Sequence, residues 1–434
     1  MKTLLFLAMC AFILVRICVQ ASRRPSTRLY SIDAIVPAYN EAPCLERSLA
    51  SLLENPYVAR VICVNDGSTD NTAQVLDALQ ARWPGRLVAV HQANTGKGGA
   101  LMHGLQHATA EQVFLTDADT HIDPRSHGLG YLLAEIERGA DAVGGVPSSS
   151  LQGAGFLPHV RASLKLPMIV IKRSFQQWLG GAPFIVSGSC GLFRTSVLRK
   201  VGFSDRTRVE DLDMSWSLVA QGYRVRQSIR CVVYPQECNT LVEEWRRWRR
   251  WIVGYAVCMR LHRRLLLTRF GIFSILPMML LALAGIMLSL QVWFGAARLH
   301  GPGGLALSVM PLFWTGIVML LAVISAIHHR RAWLVPAAAF SMLYVLLAYA
   351  IWLFHGGAVH RPRTRARQAD EVPACGGMTS PRWPRHCRHL RPTLIPTQGS
   401  RHGPPCRAPY GSVPAVASAT APMSRVRCRS AATA

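Results

Sequence analysis

From Trp245 to Ala369 the chain carries no Asp or Glu, and three long apolar segments lie inside that stretch, at about 271–296, 305–327 and 333–354. A helix crosses a bilayer with about 20 predominantly apolar residues, so the pattern predicts three transmembrane helices across 271–354. Composition points the same way: half of the residues are hydrophobic and 16% are charged, where soluble domains carry about 25%. At the N-terminus an apolar run from Leu4 to Val19, interrupted by Arg16, predicts a membrane anchor over 1–21; a signal peptide cut after Ala21 is the competing reading. Lys and Arg placement sets orientation. Arg23, Arg24 and Arg28 follow the first run, Arg260, Arg263, Arg264 and Arg269 precede the second, and a basic 328–331 stretch joins the last two. These positions predict four spans, an integral location in a bacterial-type inner or plasma membrane, and a cytosolic segment after the anchor.

The formal net charge is +25, from 48 Lys+Arg against 23 Asp+Glu. Residues 360–434 hold 13 Arg, no Lys and 2 acids, so 11 of those charges sit in the tail and +14 in the rest. That remainder suits juxtamembrane positions better than a nucleic-acid surface, and no nucleic acid is expected as a partner. The tail is rich in Pro, Arg, Ser and Ala and cannot build a core, so it is expected to be disordered. Its arginines contradict the outside location that four spans would give it, and its composition is also that of a GC-rich gene read out of frame. Twelve Cys without a C-x-x-C pair indicate neither a zinc site nor a disulfide framework.

Residues 29–240 read as a soluble α/β domain. Short apolar runs at 32–36, 58–64, 86–91 and 112–116 alternate with helical patterns at 44–53, 72–82 and 99–108. That rhythm predicts a parallel sheet wrapped by helices, with ligands at the carboxyl ends of the strands. The polar motifs fall there. Pro37, Tyr39, Asn40 and Glu41 follow the first run, and Asp66 with Gly67 follows the second. Plain strand-to-helix turns account for either motif alone, but Asp66 at a strand end can accept hydrogen bonds from a nucleoside. Lys97, among Gly96, Gly98 and Gly99, opens the third helix. Glycines and a Lys at a helix N-terminus suit a diphosphate, although the P-loop spacing is missing. Asp117 and Asp119 end the fourth run. Residues two apart in an extended chain share a side, so both carboxylates are predicted to face one point, where hard oxygen ligands suit Mg²⁺ or Mn²⁺ bridging phosphates.

Further on, Gly188, Ser189 and Cys190 lie in a small-residue stretch that either lines an acceptor channel or makes a tight turn. Glu210 and Asp211 precede a helix over 214–221; they cap it favourably or supply a general base for a sugar hydroxyl. Residues 241–264 form a basic, aromatic helix with Trp245, Trp248, Ile252 and Tyr255 in one stripe. That pattern suits a helix lying in the membrane interface. Within it, Arg250 can pair with phosphate and Trp251 can stack on a sugar.

In this order, these motifs resemble the inverting glycosyltransferases of family 2, on the branch of membrane-embedded polysaccharide synthases, and most of all the poly-β-1,6-N-acetylglucosamine synthases. The resemblance covers about 30–262 and the flanking segments. It implies a GT-A fold, a Rossmann-like nucleotide-sugar-binding domain. It also implies a UDP-sugar donor, with UDP-N-acetylglucosamine the best guess, a growing β-linked polysaccharide or a lipid as acceptor, and an accessory export subunit. By the same resemblance Pro37, Tyr39, Asn40, Glu41, Asp66 and Lys97 hold the uridine diphosphate, Asp117 sits on the nucleotide and Asp119 on the metal. Asp211 becomes the catalytic base with Glu210 beside it, and Arg250 and Trp251 match the end of a Q-x-x-R-W signature. Two positions depart from the pattern: Arg247 stands at the Gln and Val209 at the Thr of the usual T-E-D. A non-processive transferase with a lipid acceptor, and a non-catalytic nucleotide-binding subunit, are the alternative readings.

Overall fold

The computed structural model describes residues 2–204, 206–280 and 304–356. The tail expected to be disordered, at 360–434, lies outside them, as does the second apolar segment from 281 onward. The four apolar runs read from the sequence are strands β1 (Ile32–Ala38), β2 (Val58–Asp66), β3 (Leu87–Gln92) and β4 (Gln112–Leu115). The helices between them are α2 (Ala42–Leu53), α3 (Thr72–Arg82) and α4 (Gly96–His107), preceded by an N-terminal α1 (Lys2–Ala21). β1, β2 and β4 are nearly all buried, because both faces of the sheet are covered there, whereas the edge strand β3 buries only Leu87 and Val90 and exposes His91. Along β1, Ile32, Ala34 and Val36 join the core beneath α2 and α3, while Ile35 joins the core beneath α4.

The sheet is not all parallel, as the sequence rhythm had predicted. It continues through β5 (Thr120–Ile122), β6 (Ala142–Pro147), β7 (Gly191–Arg194) and β8 (Val225–Pro235), in the order β3-β2-β1-β4-β7-β6-β8-β5. β1, β2, β3 and β4 run parallel, and so do β6 and β8. β7 lies antiparallel between β4 and β6, and β5 antiparallel beside β8. The helices of this second half are α5 (Gly128–Glu137), α6 (Phe156–Gly180), α7 (Thr195–Val201) and α8 (Glu210–Ala220).

Beyond the sheet, α9 (Leu241–Leu261) begins with a capping box. The Thr240 hydroxyl accepts from Glu243 N–H while the Glu243 carboxylate reaches back to Thr240 N–H, which satisfies two otherwise orphaned donors. α9 packs against α8 and against α12 (Ser341–Gly356), and along its aromatic stripe Ile252 is buried while Trp245, Trp248 and Tyr255 are half-buried. α10 (Gly304–His329) lies along α6 and meets the short α11 (Leu334–Ala337). Over the segment expected as one span at 333–354, the chain is helical without a gap from Leu334, as α11, a 3-10 turn over Ala338–Phe340, and α12. Among the described residues no helix is long and apolar enough to cross a membrane.

Candidate functional site

The carboxyl ends of β1, β2 and β4 bring the N-terminal motifs together. Asn40, at φ +57°, donates its N–H to Ser68 Oγ (3.0 Å) and takes the Thr69 N–H on its amide oxygen (2.8 Å). The turn after β1 is thereby locked to the turn after β2. Gly67 sits at φ +69°, and a Cβ there would lie 2.7 Å from Asn94 N, so only glycine fits. Asp66, 3% exposed, uses Oδ1 to hold the loop that opens α4, accepting from Thr95 N–H (2.8 Å) and Gln92 Nε2 (2.7 Å). Among the described residues no hydrogen bond ends on Asp66 Oδ2, which remains for a ligand. Tyr39 is exposed and Pro37 lies within β1.

Lys97, in the first turn of α4, reaches Asp117 Oδ1 (2.6 Å) and Glu210 Oε1 (3.0 Å). Burial pulls its ammonium down, but Asp117, Glu210 and Asp211 outweigh it and hold the group well above its ordinary value. Asp211 stands at the start of α8, where the helix dipole favours a carboxylate. Its Oδ2 accepts from Gly188 N–H (3.0 Å) and its Oδ1 from Leu212 N–H (2.9 Å). Burial first, and then the Glu210 charge, push the Asp211 carboxyl up to about 6, against the pull of Lys97 and the Gly188 N–H. A Cβ on Gly188 would lie 3.1 Å from Lys97 Nζ and 3.4 Å from Asp211 Cβ. Loop, ammonium and carboxylate thus close around one point.

Asp117 and Asp119 do not end a strand. β4 stops at Leu115, and the two aspartates sit on the turn into β5, closed by Thr120 N–H to Asp117 O at 3.1 Å. They still lie close enough to interact: burial and then the Asp117 charge push the Asp119 carboxyl up to about 7, against the Thr120 hydroxyl and Lys97. A divalent cation fits this donor pair. Two hard carboxylates converge, and Lys97 pairs with only one of them. Mg²⁺-type sites take one or two carboxylates and complete their shell with phosphate and water. Among the described residues no group of three His, Cys, Asp or Glu could hold an ion on protein ligands alone.

The acceptor-side residues divide. Ser189 is nearly buried, with its hydroxyl 3.2 Å from that of Ser187. Cys190 corrects the sequence reading: it is fully buried, with Sγ 3.7 Å from Cys231 Sγ, and belongs to the core. Arg250 is exposed, and among the described residues no hydrogen bond or ion pair joins it to the Lys97 cluster. Trp251 is half-buried, with the guanidiniums of Arg161 and Arg247 over its ring at 5.4 and 5.6 Å from the centroid and Trp248 edge-on at 5.4 Å.

Those two arginines belong to a buried ionic cluster that sequence reasoning missed. Glu237, in the loop after β8, meets Lys165 Nζ (2.5 Å), Arg247 (3.1 Å), Arg161 (3.3 Å) and Ser149 Oγ (2.7 Å). Glu244 binds Arg161 (2.9 Å), Arg247, Trp248 Nε1 (3.1 Å) and Tyr344. Both glutamates are only 1% exposed. Burial alone would raise the Glu237 carboxyl, but Arg161 and Lys165 outweigh it and hold it below its ordinary value. The cluster borders the aspartate turn, because Gln236 N–H donates to Asp119 O at 3.2 Å. The spacing of Glu244 and Arg247, three apart on one helix, was the available signal.

The profile of Glycosyl transferase family 2 matches residues 33–202. An uncharacterized glycosyltransferase of Escherichia coli, YaiP, is 62% identical over 356 residues, 82% of this chain and 89% of that protein. The poly-β-1,6-N-acetyl-D-glucosamine synthase of Staphylococcus epidermidis is 28% identical over 227 residues, 51% of this chain and 54% of that enzyme. This chain therefore matches about half the length of the synthase. Among solved structures, the mannosyltransferase PcManGT of Pyrobaculum calidifontis, in complex with GDP-Man and Mn²⁺, has a TM-score of 0.47 at 20% identity, covering 80% of this chain and 95% of that one. With the α/β sheet, the ordered motifs and this degree of identity, the chain belongs to glycosyltransferase family 2.

Proposed function

We propose that this enzyme is membrane-bound, with its catalytic domain in the cytosol, and moves a sugar from a UDP-sugar, best UDP-N-acetylglucosamine, to a growing β-linked polysaccharide. The observation that carries the reading is the Asp211 carboxylate, held between the Gly188 N–H and the N-terminus of α8 beside the Lys97–Asp117–Glu210 cluster. Asp66 Oδ2 receives the nucleoside. Lys97 exchanges its carboxylate partners for the diphosphate, where its charge stabilises the leaving group. Asp119, with Asp117, would hold Mg²⁺ or Mn²⁺, which supplies further charge neutralisation on the diphosphate. Asp211 takes the proton of the acceptor hydroxyl as that oxygen attacks the anomeric carbon opposite the leaving diphosphate. One displacement inverts the anomer and gives a β-link from an α-linked donor. An accessory export subunit is the expected partner of a polymer-making form.

A second reading is favoured by Arg247. In place of a neutral Gln, its guanidinium is bound to Glu237 and Glu244 and stands over Trp251. That fills the space beside the proposed acceptor-stacking ring and suits a non-processive transfer to a lipid acceptor. Labelled UDP-sugars supplied to membranes containing the protein test both readings. Incorporation into a long polymer supports the first and a single sugar on extractable lipid supports the second. Neither transfer nor hydrolysis of any donor would overturn the enzymatic assignment of these residues.

A further inference from the structure

Away from the catalytic cluster, α1, α6, β8 and the segment before Gly271 enclose a cleft of about 210 Å³. Its lining includes Arg16 and Gln20 of α1, Ser174 and Trp178 of α6, Arg226 of β8, and Arg269. Three arginines and no carboxylate face it. Arg269 is fixed by a hydrogen bond to Trp178 O (3.0 Å), whereas Arg16 and Arg226 make no hydrogen bond or ion pair among the described residues. Ser174 is 7% exposed, and among the described residues its buried hydroxyl has no partner and Gln20 Oε1 is also buried without a donor. Buried polar atoms are ordinarily satisfied, so the chemistry of this cleft suits a ligand with both acceptor and donor groups. A phosphodiester supplies oxygens to Arg16, Arg226 and the Ser174 hydroxyl, and a headgroup hydroxyl supplies a donor to Gln20.

The rim indicates where that phosphate comes from. Trp178 packs on Phe12 of α1, ring centroids 4.0 Å apart. Val15 and Val19 of α1, Ile171 of α6, and Ile272 and Phe273 beyond Arg269 are all exposed. Exposed apolar residues on the same elements that supply a basic pocket are costly in water and suit a headgroup site at the bilayer boundary. We infer that this cleft binds the phosphate of an anionic phospholipid whose headgroup carries a hydroxyl. The inference rests on the membrane reading above but uses none of the catalytic residues.

The test uses the full chain purified in a neutral detergent. Binding of phosphatidylglycerol, phosphatidylcholine or inorganic phosphate is measured by native mass spectrometry and by the shift in thermal unfolding. Phosphatidylglycerol should bind, and phosphatidylcholine and inorganic phosphate should not do so in the same range. Arg16→Gln and Arg226→Gln should each weaken it about fivefold, the worth of one arginine near an anionic headgroup, and Ser174→Ala should weaken it less. Donor hydrolysis in the same detergent should be unchanged in Arg16→Gln, an exposed position, so loss of the catalytic reading and loss of the lipid site remain distinguishable. Equal binding of phosphatidylcholine would overturn the charge argument. Inorganic phosphate bound with the same sensitivity to these variants would make this a site for a soluble anion. Undiminished phosphatidylglycerol binding by the double arginine variant would overturn the site itself.

Discussion

Replacing Asp211 by Asn separates the chemistry of the site from its architecture. The side chain keeps its volume. Asp211 accepts one N–H on each oxygen, from Gly188 at 3.0 Å and Leu212 at 2.9 Å. The Asn oxygen can keep one of these bonds, and the amide NH₂ must turn toward the other donor. That substitution costs about 1 kcal/mol of stability, too little to unfold a domain of this size. Catalysis should lose far more, because an amide cannot take the acceptor proton. General-base contributions are about 10²–10⁴-fold, or roughly 3–5 kcal/mol of barrier at 1.36 kcal/mol per tenfold. Since burial and Glu210 push the Asp211 carboxyl up to about 6, the wild-type rate should rise as pH climbs through about 6 and level off above. At pH 7 roughly nine-tenths of a group with that pKa is ionised. The assay is UDP release with acceptor, on equal amounts of inserted protein, with UDP affinity measured beside it. The Asp211→Asn variant should bind UDP nearly as well as wild type and show no acid limb at its residual rate. A variant keeping more than about a tenth of the wild-type rate would place the base elsewhere.

Asp119→Ala should abolish activity together with its divalent-cation dependence; undiminished wild-type activity in EDTA would overturn the metal assignment of the aspartate turn. Trp251→Ala should damage transfer to acceptor more than donor hydrolysis, whereas a parallel fall in both rates, matched by Trp245→Ala, would leave Trp251 only a packing role. Glu237→Gln leaves Arg161, Lys165 and Arg247 without a shared anion in a buried site. Such removals cost about 3–5 kcal/mol, read as a lowered midpoint in thermal or denaturant unfolding, and a midpoint within error of wild type would refute the cluster's structural role. For Asp213, burial alone would raise the carboxyl, but His262, Ser204 and Arg206 outweigh it and hold it at about 2. A folded-state pKa below the unfolded one contributes stability that is present above about pH 4 and lost as pH falls toward 2, here about 2 kcal/mol. Asp213→Asn should remove that part of the acid dependence, as followed by unfolding between about pH 2 and 5.

Local order in the sequence was enough to locate β1 to β4, α2 to α4, and the motifs at their carboxyl ends. Alternating apolar runs and strand-to-helix turns are properties of neighbouring residues, and a βα loop must follow its strand. For that reason the positions of Asp66 and Lys97 were legible before any contact between them was known, while Glu210 and Asp211, which follow a helix rather than a strand, stood out only as acids at a helix start. The second half of the sheet was not. β5 has three residues and β7 four, too short for a period to show, and their antiparallel pairing depends on partners far along the chain. Extended geometry put Asp117 and Asp119 on one side of a strand end, but the chain turns there, and the turn is what keeps the two charges near each other. Cys190 read as part of a small-residue loop because loop and core cysteines look alike in sequence; its contact with Cys231 is 41 residues away. Apart from the Glu244–Arg247 pair three residues apart on one helix, the ionic cluster lies on the tertiary side. Lys165 and Glu237 are 72 residues apart and Arg161 and Glu244 are 83. Burying such charges is unfavourable until their partners arrive, so only the packing of α6 and α9 decides that they are buried together.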